Sequence, residues 1–158
     1  MKFELFYNLL YIGPMFSYQI LNHPVHFSLD ESRITEIFQL ISDEVDVPQN
    51  GILNIAFLSD EEIQKLNQHH RGIDKNTDVL SFHYFEDFSD ISTQETSGEC
   101  IFSESKILSQ SEEYHHLPRE EFEILLIHSL LHIIGYDHEE DEDFQAMWSY
   151  EEPIRRKM

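Results

Sequence analysis

Pro118-Arg-Glu-Glu-Phe-Glu-Ile-Leu-Leu-Ile-His128-Ser-Leu-Leu-His132-Ile-Ile-Gly135 reads as one helix from end to end. Pro118 suits the first turn, where its missing N–H would be unpaired anyway. Phe122, Leu125, Leu126, Leu130, Ile133 and Ile134 recur at helical spacing, and Gly135 can take the left-handed conformation that stops the helix. N-terminal to it, Gly98-Glu99-Cys100-Ile101-Phe102 predicts a strand, with Ser103 capping a helix after it. Residues 86–98 are rich in Ser, Thr, Asp and Glu and read as an exposed polar loop. Val79-Leu80-Ser81-Phe82 predicts a short strand. Ser59 with Glu62 is a capping box opening a helix that turns Ile63 and Leu66 inward and stops at Gly72. Ile52 to Leu58 predicts a largely buried strand, and Asp30 to about Asp46 a helix on Ile34, Ile37, Phe38, Ile41 and Val45. Beyond Gly135, the acids Glu139 to Asp143 suit the solvated start of a last helix through Phe144, Met147 and Trp148.

The order of these elements predicts an α+β fold: a small mixed β-sheet of about four strands packed with about five helices. A chain of 158 residues is one domain's worth, so a single domain is expected over 1–158, with 1–25 an N-terminal strand and extension.

Composition narrows the function classes. An apolar fraction of 41% with 12 Phe, 7 Tyr and 1 Trp excludes a disordered chain. Ten Lys+Arg against 31 Asp+Glu, a formal net charge of −21, exclude a protein that coats nucleic acid nonspecifically, because that needs a basic surface. A local RNA site remains compatible with it. The single Cys100 cannot form an internal disulfide. Glu4 and Asn8 interrupt the apolar run near the N-terminus, and no small-x-small cleavage pattern follows. A cytoplasmic protein with no membrane partner is expected.

His128-Ser-Leu-Leu-His132-Ile-Ile-Gly135-Tyr-Asp-His138 carries the chemistry. Residues four apart on a helix differ by about 40° around the axis and about 6 Å along it, so His128 and His132 share one face. A turn at Gly135 would bring His138 back as a third ligand. Three nitrogens and an open position form a catalytic zinc arrangement, so one Zn²⁺ per chain is expected, and with it a zinc-hydrolase-like fold, a single metal-dependent hydrolase domain over 1–158. The spacing is that of metzincin proteases, but Ser129 occupies the position of their essential glutamate, which disfavours peptide hydrolysis. The adjacent pairs His69-His70 and His115-His116 read as surface residues.

With these residues in place, the chain resembles the YbeY family of bacterial endoribonucleases. His128 to His138 is similar to that family's signature. Leu66 to Gly72, Asp74-Lys75 and Thr77 to Phe82 resemble its second block, Gly98 to Ile101 a third, and Met147 with Glu151 its C-terminal Met-x-x-x-Glu. The resemblance covers about residues 50–152. Ser129, His83 and Glu99 stand where the family usually carries Gly, Pro and Asp, and Ser129 would lie beside the metal. The resemblance implies a zinc-dependent, single-strand-specific endoribonuclease acting in 16S rRNA 3′-end maturation and ribosome quality control. Its partners would be single-stranded RNA, ribosomal RNA and small ribosomal subunit proteins, and Arg71 would be catalytic.

The residues permit that chemistry without the resemblance. Zinc lowers the pKa of bound water toward about 7 and polarises phosphoryl oxygens; arginine offers a planar fork for phosphate. Lys65, Arg71 and Lys75 make a basic window in an acidic chain. Arg71 equally suits a helix C-terminus beside Gly72, and Asp137 or Glu151 could orient a histidine. The nucleophile, a water or the RNA 2′-OH, is left open. Two other classes stay in view: a metal-dependent peptidase or small-molecule hydrolase, and a non-catalytic zinc protein that binds ribosomal partners.

Overall fold

Alternation in β2 (Ile52–Leu58) sends Leu53, Ile55 and Phe57 into the core and leaves the residues between them half-buried. In the computed structural model, which describes residues 15–136 and 141–158 except the side chains of 141–148, β2 lies inside the sheet. It pairs in parallel with β1 (Ser17–Ile20) on one side and β4 (Thr96–Ser103) on the other. The antiparallel edge strand β3 (Val79–His83) completes the order β1-β2-β4-β3. Ser81 faces Cys100 in the register and His83 faces Gly98. A Cβ at Gly98 would stand 2.3 Å from the Phe82 carbonyl oxygen, so close approach of β3 to β4 requires glycine there.

The helices begin where side chains satisfy the first N–H groups. Asp30 accepts from Ser32 and Arg33 N–H at the start of α1 (Glu31–Glu44), and Ser59 with Glu62 forms a reciprocal capping box for α2 (Asp60–Arg71). Ser103 caps α3 (Glu104–Glu113), while the Glu120 carboxylate accepts the Leu117 N–H ahead of α4 (Pro118–Ile134). Gly72 and Gly135 end α2 and α4 in the left-handed region, at φ of 71° and 118°. Helix α5 (Asp141–Lys157) closes the chain. No helix among the described residues is long and apolar enough to cross a bilayer.

Helix α4 packs on β3 and β4 on one side and on α1, α3 and α5 on others. Its buried set therefore extends beyond the one stripe read from periodicity, adding Ile127, Leu131, Ser129, Glu121 and Glu123. A helix buried on nearly every side is the centre of the core. Phe122 meets Phe57 and Phe102 at ring-centroid distances of 5.6 and 4.9 Å.

The expected α+β architecture, mixed four-stranded sheet and helix order are what the structure has. The polar segment 86–98 differs in two respects. Strand β4 starts earlier, at Thr96, and Phe88 is buried with its ring edge-on to Phe16 at 5.1 Å. The Asn50 amide holds this turn by donating to the carbonyls of Phe88 and Ser89 at 2.9 and 3.1 Å. One apolar anchor thus pins a loop whose composition is otherwise that of solvent-facing chain.

Candidate functional site

The helical spacing of His128 and His132 turns both imidazoles to one side of α4 near its C-terminal end. Their Nε2 atoms are 3.0 Å apart and their ring centroids 4.5 Å. On the opposite edge of His128, Nδ1 is 3.6 Å from Oε2 of Glu151, a carboxylate only 9% exposed that reaches across from α5. An Nδ1–H directed at this carboxylate would make Nε2 the nitrogen of His128 suited to bind a cation.

Both histidines border a cavity of about 780 Å³. Arg71 and His70 enter it from the end of α2, and Ser81 and Phe82 from β3. Gly72 ends α2 so that Arg71 occupies its last turn, and β3, as the edge strand, brings its own residues to the same opening. The structure thus brings Arg71, His128 and His132 to one cavity. His138, the expected third ligand, lies outside the described residues, as does Asp137. Among the described residues no group of three His, Cys, Asp or Glu side chains is disposed to hold a metal.

The observed pair suits a metal ion of zinc's size. Zinc–nitrogen bonds of about 2.0–2.1 Å at a tetrahedral angle set two ligand nitrogens roughly 3.3 Å apart, close to the separation here. Two carboxylates, Asp78 and Glu86, border the cavity, and Asp78 is already engaged: it accepts from Val79 N–H at 2.8 Å and from the Gln110 amide at 3.2 Å. Burial, reinforced by Tyr150 alongside, pushes the Tyr136 phenol up to about 12, so it stays neutral.

Ser129 does not line the cavity. It is fully buried, with Oγ 2.7 Å from Oγ of Ser81 in the seam between α4 and β3. Cys100 lies in the same seam, its thiol pushed up to about 12 by burial and so neutral and unreactive. Ser129→Glu would place a carboxylate here without a cationic partner, at a cost of about 3 kcal/mol or more. The expected outcome is a melting temperature lowered by about 10 °C and no digestion of unfolded casein; a stable variant that digests casein would contradict it.

Of the four histidines read as surface residues, His69, His70 and His115 are exposed and His116 is not. His70 is exposed but borders the cavity, its ring 4.8 Å from that of Phe82. His116 is partly buried, with Nε2 2.5 Å from the buried carboxylate of Glu121. His69 and His70 diverge around the end of α2, whereas His115 and His116 lie in the turn after α3, with His115 at φ of 58°. Glu151 was one of two candidates for orienting a histidine, and it is the one the described residues place beside His128.

The profile of the family described as Endoribonuclease YbeY matches residues 19–158, a longer span than the motifs alone cover. A relative of that name from Thermoanaerobacter sp. (strain X514) is 36% identical over 138 residues, covering 81% of this chain and 87% of the relative. Another, from Clostridioides difficile, is 36% identical over 135 residues, with 82% and 88% covered. One from Fusobacterium nucleatum reaches 39% over 126 residues, with 78% and 76% covered. The solution structure of a Thermotoga maritima protein superposes with a TM-score of 0.55 at 27% identity, covering 89% of this chain and 90% of that one.

Proposed function

Since the chain belongs to the Endoribonuclease YbeY family, we propose that it cleaves single-stranded RNA at the cavity between α2, β3 and α4, with one zinc ion held by His128, His132 and His138. The observation that carries this reading is the facing pair of Nε2 atoms, 3.0 Å apart, on the cavity that Arg71 also lines. Zinc bound there would supply Lewis acidity toward a phosphoryl oxygen and a more acidic water. The chain's own residues do the rest. Arg71 donates its planar fork to the non-bridging oxygens of the scissile phosphate as their charge grows. Glu151 holds the Nδ1 edge of His128 and thereby its Nε2 direction.

The substrate follows from the family as well: ribosomal RNA, at the 3′ end of the small-subunit species, in the cytoplasm. Small-subunit proteins, which are commonly basic, would meet the acidic surface of a chain with net charge −21. Parallel incubation with single-stranded RNA and unfolded casein, with and without chelator, tests the reaction class. RNA cleavage that chelator abolishes and zinc restores is the expected result. Casein digestion, or RNA cleavage indifferent to chelator, would overturn the reading.

Glu151→Gln keeps the shape and removes the charge. Zinc affinity, measured by competition with a chromophoric chelator, is expected to fall by about 10- to 100-fold, the usual effect of losing a partner behind a metal ligand. The fold should persist, since amide and carboxylate are nearly isosteric.

A further inference from the structure

We propose that the exposed ring of His70, seated against Phe82, forms a platform on which one unpaired nucleobase stacks, beside the phosphate received by Arg71. This inference rests on the ribonuclease reading and specifies how that site takes its substrate. His70 stands on the last turn of α2, exposed, with its ring centroid 4.8 Å from that of Phe82 and inclined to it by 56°. Phe82 is half-buried on the edge strand β3, and both rings border the cavity that holds Arg71, His128 and His132. Leu80 on the same strand is fully packed against Ile63 and Ile101, whereas Phe82 sits at the margin of that cluster. The core therefore accounts for Leu80 and only partly for Phe82.

A flat ring at the mouth of a site with a guanidinium matches the parts of a nucleotide. The base offers a π-face and the phosphate offers oxygens, and His70 and Arg71, both on the last turn of α2, both border the cavity. Stacking on aromatic side chains is indifferent to base identity because every base has a face. It does require a free face, and in a duplex those faces are already stacked on neighbours. The platform would thus make the site selective for single strands without any base-edge hydrogen bond. His70 contacts His69 edge-on at 4.8 Å, but His69 does not border the cavity, so it serves as a control.

The test uses the zinc-loaded full chain and a short 2′-O-methyl RNA carrying one 2-aminopurine, moved through each position in turn. Stacking quenches this fluorophore whether or not the strand is cut. Quenching at one position is expected with wild type and with His69→Ala, and it should be lost in His70→Ala and in Phe82→Leu. His70→Tyr should restore it. Affinity should fall about 10-fold in His70→Ala, within the range for loss of one base stack, and an oligomer abasic at the quenched position should bind wild type and His70→Ala equally. No quenching by wild type, or undiminished quenching by His70→Ala, would overturn the platform. Failure of wild type to cut unmodified RNA would overturn the ribonuclease reading instead, and the quenching would still report on the stack.

Discussion

Arg71→Ala is expected to slow cleavage of single-stranded RNA by about 100-fold or more, the scale for losing one preorganised donor to developing charge. Arg71 is exposed at the cavity, and among the described residues no carboxylate lies within ion-pair distance of it. Its position in the last turn of α2 also complements the helix dipole, and the two roles make opposite predictions. A phosphate-binding fork acts in the transition state, so its loss lowers kcat together with kcat/KM. Arg71→Lys keeps the charge without the fork and should recover only part of the rate. Zinc content and melting temperature should stay near wild type in both variants. A helix-end charge would give the reverse: a small drop in melting temperature, near-full activity and lysine as a good substitute. Equal cleavage by wild type and Arg71→Ala would remove Arg71 from the site.

His128→Ala should have the largest effect of all. Wild type is expected to bind about one zinc per chain and the variant less than about a tenth of that, because a three-nitrogen site loses both a donor and its geometry. RNA cleavage should fall to the level without enzyme. His128 is part-exposed at the cavity, so its truncation opens no large void in the core; circular dichroism should be unchanged. A zinc-supplemented wild type that elutes without metal would contradict the assignment of His128, His132 and His138 together.

What sequence reading reached and what it missed divide by the range of the interactions. The His128–His132 pair, the Ser59–Glu62 capping box and the left-handed ends at Gly72 and Gly135 all depend on residues within one helical turn, and all are present. The place of β2 between β1 and β4 depends on pairings tens of residues apart, about which local patterning says nothing. The same holds within the site. Phe82 meets His70 across two elements, and Glu151 arrives at His128 from another helix. The inward turn of Ser129 was hidden for a different reason: a small hydroxyl residue is read as polar, yet pairing with Ser81 lets it sit fully buried. Phe88 shows the converse, one aromatic outweighing a run of polar neighbours.

Because α4 is enclosed by the sheet and by three other helices, its middle turns cannot exchange their amide protons through local fraying. Leu125 to Leu131 would open only when the whole domain opens, placing His128 in the last cooperative unit to unfold. The exposed end of α2 belongs to the opposite class, able to open while that unit stays shut. The nitrogens of His128 and His132 would then remain set while the exposed end of α2 moves, so a strand entering beside Arg71 need not disturb an ion held by the histidines. Hydrogen exchange would record this as two populations of amides on one cavity wall, the slower carried by the helix of His128 and His132 and the faster by that of Arg71.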